Sequence, residues 1–459
     1  MTRQTPHIVI AGGGVAAVEA VAALRALAGS LPRITLLAPE DHLTPRAASV
    51  AAPFGFGMPS ALPYDAIRRH ARFDLYRGTL SRVDDEAHVV FDDHGEPIEY
   101  DKLLVSVGAR PQPALPGAIT FTGPSDAPAV AKAVEETERL AFVLPVATGW
   151  GLPVYELAIM AALEVRSRGA EPEITVVTAE PAPLWIFGDA AGAAVAELLA
   201  ERGIGLRVGA RPVAVHDGAL ELDGAPTVTA DRVIALPRLV GPATPGLPHS
   251  AQGFIPVDRH GRVPDMPDVF AAGDATTFPL KQGGLATQQA DAAAETIAAE
   301  LGVAVEPTPF RPVLRGLLLT GGAPLYLRSA LSAGGDPEER SARRIRRKPA
   351  SEVSQRALWW PPSKIAGRYL APLLATARPP LLAASQMQDY RPGPEGADRD
   401  DALELALMLA EEDAAMGDYA QALRALDAAA ALTGGVLPAE WTEKRDAWRA
   451  ARETAQTPA

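Results

Sequence analysis

Ile8-Val9-Ile10-Ala11-Gly12-Gly13-Gly14-Val15-Ala16-Ala17 is an apolar run that stops at three glycines. A run of this kind reads as a buried parallel strand. The turn after it is tight enough to need Gly12, and Gly14 has no Cβ to hold a pyrophosphate away from the backbone. Ala17 keeps the following helix close to the sheet, and the unpaired N–H groups at that helix's start face the phosphates. The helix continues through Glu19, Val21, Leu24 and Leu27. A second apolar strand, Ile34 to Ala38, leads to Glu40, where a carboxylate can accept from ribose hydroxyls. Glycines at a strand end also make ordinary turns. Strand, glycines, helix, strand and acid in this order predict a dinucleotide site built from Gly12, Gly13, Gly14, Val15, Ala16, Ala17 and Glu40.

Three later segments say which dinucleotide. Tyr100 to Gly108 reads as another buried strand ending in glycine, followed by Ala109-Arg110-Pro111. Asp268 to Asp274 is a short apolar strand delivering Asp274 at its carboxyl end, and Gly283-Gly284-Leu285-Ala286-Thr287-Gln288-Gln289 opens an Ala-rich helix running to about Leu301. With these segments in place the chain resembles the flavoproteins of the pyridine-nucleotide oxidoreductase superfamily, nearest the sulfide:quinone oxidoreductase and type II NADH dehydrogenase branch. The resemblance implies one FAD held by the first fingerprint and by Gly273 and Asp274, with Asp274 bonding the ribityl or phosphate part. It also implies that the helix opening at Leu285 and Ala286 aims its positive end at the flavin pyrimidine ring. A helix start stabilises an anionic reduced flavin by roughly 0.3–2 kcal/mol. Arg46, Leu80, Ser106, Val107, Gly108 and Arg110 complete the expected FAD contacts. The plainer alternative is that Asp274 only caps a turn.

Composition narrows the chemistry. With 459 residues and 47% hydrophobic content, the chain can bury two or three cores. A net charge of −13 argues against nucleic-acid binding. There is no cysteine, which excludes a disulfide relay, a sulfenic-acid peroxidase and cysteine-based sulfide attack. No run of about 18 apolar residues occurs, and no basic segment precedes the strand at His7. The expectation is a cytoplasmic protein, with weak peripheral membrane contact as an alternative.

The second nucleotide fingerprint is degenerate. Leu140 to Ala147 reads as a strand, and Gly149-Trp150-Gly151-Leu152-Pro153-Val154 stands where a nicotinamide fingerprint belongs. Val154 replaces the third glycine and Trp150 adds bulk. A helix follows from Tyr155 to about Ser167, then a strand from Ile174 to Thr178 that leads to Glu180. Two readings stay open: NADH binds through Gly149, Gly151 and Glu180, or only the scaffold remains. The segment Trp150 to Leu157 resembles the Pro-rich turn and Tyr-Glu-Leu of sulfide:quinone-type flavoproteins, which do not use a nicotinamide. Glu156 reads as a structural partner. On the acceptor side, Gln288 matches the second glutamine of the branch's Ala-Gln-x-Ala-x-Gln pattern, while Gly284 replaces the first. Lys281, one of six lysines, lies just before it. Lys281 and Gln288 are the expected catalytic residues, a surface lysine being the plainer reading of the former.

These motifs predict an α/β protein with two nested Rossmann-type domains, a C-terminal interface domain and a short helical tail. The FAD-binding domain takes residues 1–115 and 245–305, and the second Rossmann-like domain takes 116–244. The interface domain takes 306–390, with strands at Val313 to Thr320 and Leu325 to Arg328. The basic run Glu338 to Lys348, Trp359-Trp360 and the Pro-broken stretch Tyr369 to Leu382 read as a charged loop before packed tryptophans, or as a membrane-docking face. In the tail, 395–455, Leu403, Leu407, Ala410 and Ala414 form one apolar stripe. Its Gly417-Asp418-Tyr419 turn resembles one tetratricopeptide unit, suited to packing, a homodimer or a protein partner. The expected function is an FAD-dependent oxidoreductase passing two electrons from a small-molecule donor to a quinone-like or other acceptor. The alternatives are an NADH-dependent reductase of a small redox partner and a flavin-free binding scaffold.

Overall fold

The computed structural model describes residues 5–55, 61–146, 150–171, 173–216, 218–332, 346–359 and 363–371, isolated positions between 407 and 430, and 437–455. The chain packs as two compact units, Met1–Gln355 with Lys364–Gln386, and Arg356–Ser363 with Met387–Ala459. The helices used below are α1 (Val15–Ala28), α2 (Tyr64–Arg68), α3 (Ala127–Glu136), α4 (Leu152–Ser167), α5 (Asp189–Glu201), α6 (Gly283–Glu300) and α7 (Ala439–Ala455).

Ile8, Val9, Ile10 and Ala11 are all fully buried, so their strand, His7–Ala11, must be covered on both faces. It lies at the centre of a five-stranded sheet in the order Val269–Ala271, Lys102–Val105, His7–Ala11, Arg33–Ala38, Asp74–Arg77. Every pairing is parallel, with Ile8 opposite both Lys102 and Ile34. On one face α1 and α6 pack together through Ala16, Ala17, Ala20, Ala286, Ala290 and Ala293, whose small side chains let the helices lie close. On the other face Val9, Leu37, Val83, Val90, Ile255 and Val269 share a second cluster. The strand Val269–Ala271 comes from far along the chain, and it brings Gly273 to the sheet end where Gly12 turns.

A second five-stranded parallel sheet runs Ile119–Thr120, Arg232–Ala235, Arg139–Leu144, Glu173–Thr178, Gly205–Arg207. The apolar stretch from Val228 to Leu236 is divided at Ala230. Ala225–Thr229 closes a three-stranded meander with Pro212–His216 and Ala219–Leu222, and only Arg232–Ala235 enters the parallel sheet. A third, antiparallel sheet pairs Val313–Leu318, Leu325–Ser332 and Arg346–Ser354. The basic run therefore ends in a strand rather than a loop: Arg346 and Arg347 pair with Ser332 and Leu331, and Lys348 continues the same strand, while residues 338–345 lie outside the described residues.

In the second unit, Leu407 and Ala410 join Leu426, Ala429, Leu437, Trp441 and Trp448 in one cluster. The Trp441 and Trp448 rings meet edge-on at 6.4 Å. Leu403 and the turn at Gly417-Asp418 lie outside the described residues. Among those described, no helix is long and apolar enough to cross a membrane.

Candidate functional site

The first turn is closed on two glycines and open on the third. Gly12 has φ +122°, and a Cβ built there would overlap the Ser106 carbonyl. Its N–H donates to the Leu37 carbonyl at 2.8 Å. A Cβ on Gly13 would overlap the Tyr64 hydroxyl, which donates to the Gly13 carbonyl at 2.6 Å. A Cβ on Gly14 would meet nothing within 4 Å. Gly14 caps α1 without any side-chain bond, and among the described residues no acceptor meets the first N–H groups of the helix. A helix start of this kind can hold an anion, and Val15, Ala16 and Ala17 form its first turn. Glu40 stands exposed just past the Arg33–Ala38 strand.

The late aspartate reaches the same place. Gly273, at φ +76°, sits between α1 and α6: a Cβ there would lie 3.2 Å from the Ala286 methyl and 3.3 Å from that of Ala16. No hydrogen bond from the described residues reaches the Asp274 carboxylate. Burial pushes Asp274 above the usual carboxylate range, while Lys281 and Arg46 draw it back. Burial pushes Lys281 down to about 8, against the pull of Asp274. Its Nζ donates to the Thr276 carbonyl and lies 3.9 Å from the centre of the Phe254 ring. Lys281 is thus a held cation beside Asp274 and not a free surface lysine.

The start of α6 is more occupied than expected. The helix begins at Gly283, and the Gln282 side chain accepts from Leu285 N–H at 2.7 Å while donating to the Arg315 carbonyl at 3.0 Å. Among the described residues, the N–H groups of Gly283 and Gly284 meet no acceptor. Gln288 is committed to the fold: its Oε1 accepts from Val313 N–H at 2.9 Å, and its Nε2 donates to the Val313 carbonyl at 2.9 Å and to Gly284 at 2.7 Å. It ties α6 to the third sheet, leaving no free donor for an acceptor molecule. Gln289, which the sequence pattern did not single out, accepts from Gly273 N–H at 2.7 Å and fixes the aspartate's turn.

Other expected contacts divide. Ser106 is buried, its hydroxyl donating to Ala11 at 3.2 Å, and Gly108 takes φ +76°. Leu80 and Val107 pack against the cluster behind the sheet. Arg110 turns away from the site, donating to the Pro242 carbonyl at 2.6 Å in the strand pairing that closes the return connection. Nothing in the sequence around Tyr64 points to its bond with Gly13.

The second corner differs. Gly149 lies outside the described residues. Gly151 caps α4, and a Cβ there would lie 2.9 Å from Leu144 and 3.3 Å from the Glu180 carboxylate. Glu180 is 1% exposed. It accepts from the Tyr155 hydroxyl at 2.6 Å and the Thr178 hydroxyl at 3.1 Å, and burial pushes it up to about 7. A carboxylate so placed is not offered to a ribose. Pro153 removes one donor from the helix start, and the Trp150 ring packs on Phe187 at 5.7 Å.

The first corner fits FAD: an uncapped helix start for phosphate, the carboxylates of Glu40 and Asp274 for hydroxyls, Arg46 and Lys281 as cations, and a second helix start at Gly283. The described part of the second corner does not fit a nicotinamide dinucleotide in the same way. Comparisons agree with the first assignment. The chain is 27% identical over 300 residues to the benzene 1,2-dioxygenase system ferredoxin–NAD(+) reductase subunit of Pseudomonas putida, spanning 61% of this chain and 69% of that protein. It is 26% identical over 302 residues to the sulfide-quinone reductase of Aquifex aeolicus, spanning 60% and 69%. Its fold is similar to the crystal structure of sulfide:quinone oxidoreductase from Aquifex aeolicus, with a TM-score of 0.65 and 20% identity over 76% of this chain and 87% of that one. Residues 6–295 match the pyridine nucleotide-disulphide oxidoreductase family model; the chain belongs to that family and is an FAD-dependent oxidoreductase.

Proposed function

We propose that the chain moves an electron pair from a small-molecule donor to a quinone-like or other acceptor, with no cysteine relay and no nicotinamide in its second domain. The observation that carries this reading is the convergence of Gly14, Asp274 and the start of α6 at one sheet end, set against the inward-turned Glu180. Bound FAD supplies two-electron chemistry. The protein's share is to hold it. The start of α1 takes the phosphates, Glu40 and Asp274 accept from hydroxyls, and Lys281 and Arg46 offset the buried charge. Residues 1–115 and 245–305 serve as the FAD-binding domain, 116–244 as a supporting Rossmann domain, and 306–390 as the interface domain. The tail helices serve packing or a partner. The likeness to sulfide-quinone reductase supports a quinone-like acceptor.

A second reading has NADH as donor and a small redox protein as acceptor, which the likeness to the benzene dioxygenase ferredoxin–NAD(+) reductase subunit supports. Anaerobic addition of NADH, NADPH and sulfide in turn, following the visible flavin band, tests both. We expect neither nicotinamide to bleach the band within seconds. Rapid bleaching by NADH would replace the first reading with the second.

A further inference from the structure

The helices of the two corners each carry a buried glutamate five residues after the capping glycine: Glu19 after Gly14 and Glu156 after Gly151. Both reach the same short segment, residues 364–371. Lys364, 7% exposed, pairs with Glu156 and donates to the Leu317 carbonyl at 3.2 Å. Leu319 N–H donates to the same glutamate oxygen at 2.8 Å, and Glu156 Oε2 is buried with no partner among the described residues. At the other end, Tyr369 and Leu370 N–H groups donate to the two Glu19 oxygens at 2.7 Å each. Gly367 lets the backbone pass this close, since a Cβ there would overlap Glu19.

Between these anchors the segment crosses the place where α1 and α6 begin. A Cβ built on Gly283 would lie 3.6 Å from Ile365 and 3.8 Å from Val15. These are the helix starts that the FAD reading assigns to the cofactor.

The Glu19 end holds an unusual charge balance. Asp291 of α6 lies within hydrogen-bond reach of Glu19, and its Oδ1 is buried without a partner among the described residues. Glu295, also on α6, pairs with Arg368 at 3.0 Å and accepts from Thr308 N–H at 2.8 Å. The Arg368 guanidinium lies 5.3 Å from the Tyr369 ring. Among the described residues, three acids, Glu19, Asp291 and Glu295, thus face one base, Arg368. Two adjoining buried carboxyls cannot both ionise cheaply, so the pair keeps a proton. The backbone donors favour charge on Glu19, which leaves the proton with Asp291.

We propose that residues 364–371 form a clasp over the flavin site, and that the proton shared by Glu19 and Asp291 keeps it shut. Burial pushes Glu19 up to about 7 and Asp291 further. Folded-state values above the unfolded ones give stability that is full at low pH and is lost as pH rises from the unfolded carboxylate range up through the folded values, about 7 for Glu19 and higher for Asp291. The clasp rests on the FAD reading above, and the test separates the two.

The experiment uses the holoenzyme and follows FAD release by flavin fluorescence, together with amide exchange of residues 364–371, at about pH 6 and about pH 9. Exchange is corrected for its intrinsic pH dependence. Both rates should rise on the order of tenfold, the change that one unit of proton coupling supplies. Asp291→Asn still donates to Glu19 but has no proton to lose, and should flatten both steps. Lys364→Met frees the other end and should speed release at both pH values with the step intact. Flat wild-type profiles, an unchanged step in Asp291→Asn, or wild-type release in Lys364→Met would each overturn the clasp. Purified protein that holds no FAD would remove the flavin reading, and the exchange step would still report on the clasp.

Discussion

At the first corner Gly14 starts α1 under open space and Glu40 stands exposed beyond its strand, whereas at the second Gly151 starts α4 beside the buried carboxylate of Glu180. The two acids follow the same plan of strand, turn, helix and strand. Their neighbours separate them. Four residues after Gly151 stands Tyr155, fully buried, whose hydroxyl needs an acceptor; Glu180 supplies it. Four residues after Gly14 stands Val18, which asks for nothing. Among the described residues, no buried hydroxyl donates to Glu40 and draws it inward, since that of Tyr64 is held by Gly13. An acid's position in a fingerprint says where its backbone ends, and the polar groups within reach decide which way its side chain goes.

The comparison can be broken most severely at the glycines. Gly12→Ala forces a side chain onto the Ser106 carbonyl at a φ that L residues avoid, and should cost about 4 kcal/mol in denaturant unfolding. Gly151→Ala meets only movable side chains, Leu144 and Glu180, and should cost about 1 kcal/mol. Equal losses would mean the corners are equally closed.

The next effect depends on pH. Glu180 is held up to about 7 when folded, above its unfolded value, so the wild type loses stability as pH rises between those values. Glu180→Gln keeps the Tyr155 and Thr178 bonds without titrating. It should therefore be more stable than wild type by about 3 kcal/mol at pH 8 and equal to it near pH 4. Denaturant midpoints across pH check this, and a constant offset at all pH values would contradict it.

Glu40→Ala gives the smallest change in the fold and a larger one in binding. Stability should move by less than about 0.5 kcal/mol. FAD affinity, from fluorescence titration of the apoprotein, should fall on the order of tenfold, as for one hydrogen bond to a charged group. Unchanged affinity would remove Glu40 from the cofactor site.

Much of this was legible in the sequence because it lies along the chain. The order of strand, glycines and helix locates the first corner within a residue or two, and α6 begins at Gly283, where the glycine pair opens its alanine run. Partners that meet across the fold were not legible. Tyr64 bonds Gly13, Lys364 pairs with Glu156, and Glu19 holds Tyr369 and Leu370, all joined by packing rather than by spacing. Arg110 and Gln288 are misleading for the same reason. Each sits beside a site segment, but the nearest unpaired backbone groups, at Pro242 and Val313, take its side chain.

Under the proposed function, one of these corners holds a dinucleotide and the other does not. Calorimetric titration of the apoprotein, first with FAD and then with ADP-ribose, measures this directly. We expect one FAD per chain and no ADP-ribose uptake at millimolar concentration; a second nucleotide bound at micromolar concentration would contradict a single dinucleotide site.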